Sequence, residues 1–336
     1  MSVTDIASSQ EVSQRMRVFV TGASGWIGSA VVPELIAAGY AVVGLARSDA
    51  PATALAAAGA EVQRGTLDDL DTLRSAAAAS DGVIHLAFKH DIAFSGGFQA
   101  AADADRGAVE TLGEVLMGSD RPLVIASGLG GLTPGRVVTE RDGHGLDPAP
   151  AAMGGGPLTR QATAELVLSY ASQRVRSSIV RLAPTNHGEG DHGFMAALVG
   201  IARQKGVSGY IGDGTNRWPA VHRLDSAHLF CLALEKAQAG STLHAVADEG
   251  VPIRDIAEVI GRHLDVPVVS ISPEAVNDHF GFLGGFFLGL DVPASSALTR
   301  QLMGWQPTQP GLIEDLDQGH YFTASFSGVG GSRARD

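Results

Sequence analysis

Residues 17–28, RVFVTGASGWIG, constrain this chain more than any other stretch. A short β-branched and aromatic run ends in Gly22, and Gly25 and Gly28 follow at three-residue spacing. Apolar residues then recur at helical spacing until Gly39 closes the helix. A strand that turns through glycine into a helix uses one glycine for the tight turn. It uses a second where backbone approaches a phosphate, and a third where helix and strand pack closely. The helix start then presents free N–H groups and a positive dipole end to that phosphate. A plain glycine-rich turn is the alternative. Placement between strand and helix favours a dinucleotide, with Gly22, Ser24, Gly25, Trp26, Ile27 and Gly28 around its pyrophosphate.

The same rhythm continues through the first half. Strands are expected at 17–22, 41–47, 61–67, 82–88, 121–127 and 176–183, separated by helices that include 98–117 and 158–173. Alternation of this length implies an α/β fold, a Rossmann-type doubly wound parallel sheet with both faces covered. After Ala183 the rhythm breaks into scattered helices (193–204, 225–237, 253–264), short strands and Gly/Pro turns. The expected organisation is a tail at 1–15, a dinucleotide-binding domain at 16–183, a smaller substrate lobe at 184–322 over the C-terminal edge of the sheet, and a tail at 323–336.

Charge and apolar content narrow the function. The chain has 336 residues and a net charge of −12, from 24 basic and 36 acidic side chains, with no Lys/Arg run. A nucleic-acid surface needs clustered positive charge, so that partner is excluded. The most apolar stretch, FGFLGGFFLGL at 280–290, is far shorter than the roughly 20 residues of a membrane span, and no membrane partner is expected. The single cysteine, Cys231, rules out an internal disulfide and fits a reducing compartment, the cytoplasm.

The end of the second strand selects the cofactor. An NAD site usually places an acid there, against the ribose hydroxyls. Here the residues are Ala46, Arg47 and Ser48, and Asp49 comes late. A guanidinium at this point can fork onto a 2′-phosphate, and a serine can add a hydrogen bond. The expected cofactor is therefore NADP(H), with NAD(H) as the second choice; the bland alternative is that Arg47 is solvated.

With TGASGWIG at 21–28, GTL at 65–67, HLA at 85–87 and the Ala164–Glu165 pair, the chain resembles an extended short-chain dehydrogenase/reductase of the NAD-dependent epimerase/dehydratase family over residues 16–322. The resemblance implies Thr66 and Leu67 beside adenine, Leu86, Ala87 and Phe88 toward ribose and nicotinamide, and Pro184 after the sixth strand. Thr66 departs from the acid usual there. Lys89 is open between a ribose or phosphate contact and solvent. The family also implies a homodimer formed through two helices per subunit.

That family uses Ser/Thr, Tyr and Lys in acid–base chemistry, with Tyr and Lys four apart. Counting back from Ala164–Glu165 puts Pro157 at the tyrosine position and Gln161 at the lysine position. The serine position falls on Gly128, just after Ser127. Tyr170 and Arg174 have the spacing but lie too far down their helix. This marks an atypical member. A replacement proton donor is sought in PTNHGEGDHGF at 184–194, where His187, Glu189, Asp191 and His192 crowd. His187 is the first candidate and Ser127 a second. A metal site and a merely turn-bracing loop are the other readings of that cluster, and no metal is expected. His85 is read as structural. His222 and Trp218 either face the cleft or lie buried. Asp225 is read as the N-cap of the following helix. The phenylalanines of 280–290 are read as core, or as an apolar end to the pocket.

These observations point to an NADP(H)-dependent oxidoreductase that reduces a small, partly apolar carbonyl substrate without the Tyr/Lys pair. A non-catalytic NADP(H) sensor and a sugar-nucleotide epimerase or dehydratase are the alternatives.

Overall fold

The computed structural model describes residues 15–129, 134–145, 157–281, 283–284 and 287–323. The two expected tails lie outside these bounds except for Arg15 and Thr323. The chain begins with β1 (Arg17–Thr21), α1 (Gly28–Ala37), β2 (Ala41–Ala46), α2 (Asp49–Ala57), β3 (Glu61–Arg64), α3 (Leu70–Ala78) and β4 (Gly82–His85). One helical turn, α4 (His90–Ile92), leads through a kink into α5 (Phe98–Leu116). Ser95 and Gly96 leave helical geometry there, Gly96 at φ +97°. Then come β5 (Pro122–Gly128), α6 (Pro157–Ser169), β6 (Arg176–Leu182), β7 (Thr185–His187), α7 (Phe194–Lys205), β8 (Ser208–Ile211) and β9 (Arg217–His222). The second half continues with α8 (Arg223–Lys236), β10 (Ser241–Ala245), β11 (Asp248–Pro252), α9 (Ile253–Leu264), β12 (Val268–Ile271) and α10 (Val276–Phe280).

Seven strands form one parallel sheet in the order β3–β2–β1–β4–β5–β6–β10. Alternate side chains of each strand enter different cores, as the two-residue period requires. Val18, Val20, Ile84 and Val124 pack with α1 and α8. Phe19, Val83, Leu123 and Ile125 pack with α3, α5 and α6. The strand order reverses between β1 and β4, which opens the crevice where such sheets bind ligands.

A cut at 183/184 does not describe this sheet. The seventh strand, β10, and the helix α8 come from beyond it, as do Met303 and Trp305 in the core they share with α1. β10 escapes sequence reading because STLHA mixes polar with apolar residues. Thr242 and His244 are buried, and His244 is served by partners from the C-terminal region: Thr299 Oγ1 accepts from the His244 amide at 2.7 Å, and His244 Nδ1 lies 2.8 Å from the Ser295 carbonyl.

The cap of α8 is also shifted. The helix starts at Arg223, and His222 Nδ1 accepts from the Leu224 amide at 3.3 Å. Asp225 instead reaches out of the first turn and accepts from the amides of Thr308 and Gln309 at 2.9 and 3.1 Å.

The smaller lobe contains the sheet β11–β9–β7 and the pair β12–β8. Its core gathers Phe194, Trp218, Phe280, Leu283, Phe287 and Leu288. Trp218 is fully buried, with the Phe287 ring centroid 4.8 Å away. The described phenylalanines of 280–290 are thus core residues; Phe282 and Phe286 are outside the described positions. Among the described residues no helix is long and apolar enough to cross a membrane.

Candidate active site

The glycine turn sits at the mouth of the β1–β4 crevice. Gly22 has φ +66°, and a Cβ on it would lie 2.7 Å from the Ala87 amide nitrogen. A Cβ on Gly28 would lie 2.1 Å from the Gly22 carbonyl oxygen. These two glycines therefore let the turn close on itself and against the segment after β4. Gly25 is different: it is exposed, and its Cβ would come 3.1 Å from one carbonyl oxygen only. Ser24 is exposed beside it, and Trp26 and Ile27 are half-buried. This cradle of bare backbone at the start of a 10-residue helix fits a dinucleotide pyrophosphate.

Trp26 ties the turn to the smaller lobe. Its indole N–H donates to the Asn186 carbonyl at 2.8 Å, and the Arg223 guanidinium lies 4.4 Å from its ring. His192 meets the same ring edge-on at 5.6 Å. Pro184, between β6 and β7, is half-buried.

At the end of β2, Arg47 and Ser48 are exposed, and Ser48 makes no capping hydrogen bond with its side chain. Asp49 is held by Arg64 at the end of the neighbouring β3, while Arg47 faces Asp91 at 3.6 Å. Both donors of Thr66 go to Asp69: the amide at 2.7 Å and the hydroxyl at 3.0 Å. Leu67 is buried in the core beneath. Lys89 Nζ reaches both oxygens of Asp68, at 2.7 and 2.6 Å, and links the loops after β3 and β4.

The sheet edge under the crevice carries a buried polar chain. Thr21 Oγ1 is 2.8 Å from His85 Nδ1, and His85 Nε2 is 3.1 Å from Asp105 on α5. Asp105 accepts only, so a neutral His85 carries its proton on Nε2 and accepts the Thr21 hydroxyl at Nδ1. His85 is structural, as its strand position suggested. Burial pushes the Asp105 carboxyl up, but the Arg160 charge and the bonds from His85 and Arg160 outweigh it and hold the group below the ordinary carboxylate range. Arg160 carries this network to the surface of the crevice. One of its NH2 groups donates to the Ala126 carbonyl on β5 at 3.2 Å, and its guanidinium lies 4.1 Å from the Phe88 ring centre.

Sequence reasoning passed over Arg160, which directly precedes Gln161, and His90, which directly follows Lys89. The His90 ring stands 5.0 Å from Phe88 and 5.6 Å from Phe94. Phe88 also meets Phe98 at 6.0 Å. Phe94 is 48% exposed, on the kinked turn before α5. Leu86 and Ala87 are half-buried at the root of this segment, and the Ala87 amide donates to Thr21 Oγ1 at 3.3 Å.

The remaining candidates lie deeper. Ser127 is buried at the end of β5. Gln161 donates to the Gly143 carbonyl at 2.9 Å, and Pro157 starts α6, so neither supplies a proton. Tyr170 is core: a Cβ on Gly113 would touch its ring at 2.2 Å, and burial, then Glu110 and Glu114, push its phenol up to about 12.

His187 has no accessible surface and faces away from solvent in the crevice. Its Nδ1 is 2.9 Å from Asp315, which also bonds His320 at 3.1 Å, and its ring lies edge-on to the buried His222 at 5.5 Å. Asp191 is equally internal. It accepts from the Gly193 amide at 2.6 Å and from the Tyr321 hydroxyl at 2.9 Å. The end of β7 and the loop after it thus brace the lobe through His187 and Asp191, while Glu189 and His192 are exposed.

The sequence agrees with this geometry. A family model described as "NAD dependent epimerase/dehydratase family" matches residues 18–129. An uncharacterized protein of Schizosaccharomyces pombe is 50% identical over 91% of this chain and 100% of its own length. The 4-hydroxy-2-methyl-3-oxo-4-farnesyl-3,4-dihydroquinoline-1-oxide ketoreductase of Stigmatella aurantiaca is 28% identical over 71% of this chain and 70% of its own. Among solved structures, the dTDP-glucose 4,6-dehydratase DesIV from Streptomyces venezuelae, with NAD and TYD bound, shares the fold. It does so at 19% identity and a TM-score of 0.69, across 91% of this chain and 96% of that one. The glycine cradle, the strand order and these relatives together place the chain in the NAD-dependent epimerase/dehydratase family of extended short-chain dehydrogenase/reductases, a family of NAD(P)-dependent oxidoreductases.

Proposed function

We propose that this protein is an NADP(H)-dependent reductase of a small, partly apolar carbonyl compound. The observation that carries the reading is the pairing at the end of β2. The acid closest to the ribose position, Asp49, is neutralised by Arg64, and Arg47 is exposed with only a solvated partner. A surface pair of that kind is worth little and yields readily to a 2′-phosphate, which a guanidinium binds with two parallel hydrogen bonds. Ser48, whose side chain makes no capping hydrogen bond, adds a hydroxyl beside it.

The substrate class rests on the other end of the crevice. Phe88, His90, Phe94 and Phe98 form an aromatic shelf past the end of β4, beside the region the nicotinamide would take. Such a wall suits an apolar substituent, and the resemblance to a ketoreductase supports carbonyl reduction. When bound, the nicotinamide supplies a hydride; the protein orients the two partners, excludes water and provides a proton. Pro157, Gln161 and Gly128 at the family's acid–base positions favour a second reading, a dinucleotide sensor without turnover.

A panel of aldehydes and ketones followed by NADPH absorbance separates the two. Oxidation of NADPH that depends on a carbonyl with an apolar substituent is expected, and Phe94→Ala should raise KM for that substrate several-fold while leaving NADPH affinity unchanged. Tight NADPH binding with no oxidation across the panel assigns the protein to the sensor class.

A further inference from the structure

We infer that His90 is the acid that protonates the substrate oxygen in this crevice, in place of the family's tyrosine. The inference rests on the reading of the crevice as a nicotinamide site. If β2 receives the adenosine end and the β1 turn the pyrophosphate, the nicotinamide lies over the ends of β4 and β5. Besides His85, which is locked between Thr21 and Asp105, three histidines belong to the segments bordering that place. His187 is sealed inside the smaller lobe. His192 is exposed against Trp26, over the pyrophosphate turn. His90 is exposed too, but stands on the β4–β5 side: Phe88 contacts both its ring and the Arg160 guanidinium, and Arg160 is fixed to β5 through Ala126.

The charged groups around His90 are Arg160 from α6, Asp105 from α5, Asp91 from its own turn and His192 from the loop after β7. Desolvation, then Arg160, lower its ionisation, with His192 adding a little; Asp105 and Asp91 oppose them, and the group sits below its ordinary range. Its imidazolium is therefore a stronger acid than a free one, present in larger fraction as pH falls.

With reduced cofactor bound, the carbonyl carbon would gain the hydride released as a nicotinamide C–H bond breaks and the ring is oxidised, and the C=O π pair would move onto oxygen. That oxygen takes the proton of the imidazolium: the N–H bond breaks, the O–H bond forms, and neutral His90 is reprotonated by water. Arg160, one shelf residue away, is a positioning residue. It holds Phe88, and through it the His90 ring, against the end of β5.

The test is an NMR titration of the His90 ring, assigned by its loss in His90→Gln, in the presence of saturating oxidised or reduced cofactor. The oxidised nicotinamide carries a positive charge that the reduced ring lacks. A ring facing it titrates lower by at least half a pH unit in the oxidised complex, in wild type and in His192→Gln alike. Either cofactor pair, phosphorylated or not, produces this shift, so a lost NADPH preference defeats the proposed cofactor reading and leaves this one standing. Equal midpoints in the two complexes overturn it. For any carbonyl that wild type reduces, His90→Gln should lose about a hundredfold in rate and the rise in rate toward low pH; full activity in that variant overturns it as well.

Discussion

A single Cβ separates the three glycines of the turn. At Gly28 it would sit 2.1 Å from a carbonyl oxygen, and at Gly22 2.7 Å from an amide nitrogen with φ positive. Neither clash has a flexible partner, so Gly28→Val should fail to fold or melt far below wild type. Gly25→Val meets only one atom at 3.1 Å and points to the open side. It should keep the melting temperature within a few degrees yet lose cofactor binding by more than about tenfold, because the side chain occupies the approach to backbone N–H groups. A melting curve paired with a cofactor titration reads both. The glycines were legible in sequence because a positive φ and a close approach leave a residue-type signature. His187 was not: its place in a loop beside the crevice says nothing of direction, and only the partner Asp315, far along the chain, shows that it turns inward. His90 was passed over for the opposite reason. The strand pattern ends at HLAFK, while the short helical turn that follows directly sets the His90 ring against Phe88.

At the scale of elements, the chain Thr21–His85–Asp105–Arg160 joins β1, β4, α5 and α6 beneath the crevice. Removing one member of a buried charged set leaves the others unpaired. Asp105→Ala should cost roughly 3 kcal/mol of stability in denaturant unfolding. The pH dependence follows from the depressed ionisation of Asp105. Its folded value lies below the unfolded one, near 3.9. Its contribution is therefore fully present above about pH 4 and is lost as pH falls toward the folded value. Wild type should lose stability more steeply than Asp105→Asn as pH falls below about 4; parallel curves would remove Asp105 from the stabilising set. None of this pairing could be read from sequence, since Asp105 and Arg160 sit among alanines and polar residues whose period gives a helix face but not a partner.

At the scale of the whole molecule, the central sheet and its core cross the boundary expected at Ala183. One face of the central strands is covered by α1 from the N-terminal half and by α8 and Trp305 from the C-terminal half. A fragment of residues 16–183 would expose Val124 and Val180 on that face and leave β6 as an open edge. Such a fragment should be insoluble or unfolded by circular dichroism, whereas 15–323 should fold. A folded, soluble 16–183 would mean that the second half contributes a lobe and nothing more. Six of the seven parallel strands were legible: most are apolar runs closed by glycine or a polar turn, and the edge strand EVQR follows from the strand–helix alternation. The seventh carries a buried histidine, His244, bonded by Ser295 and Thr299, which no periodicity announces.

The central claim is that this crevice holds NADP(H) with Arg47 on the 2′-phosphate. Equilibrium titration of NADPH and NADH into wild type and Arg47→Ala tests it most directly. A charge-assisted contact of this kind is worth about ten- to a hundredfold in affinity. NADPH should bind wild type tighter than NADH by that factor, and Arg47→Ala should bring the two dissociation constants together by weakening NADPH alone. Equal affinities in wild type, or a preference for NADPH that survives Arg47→Ala unchanged, would contradict it.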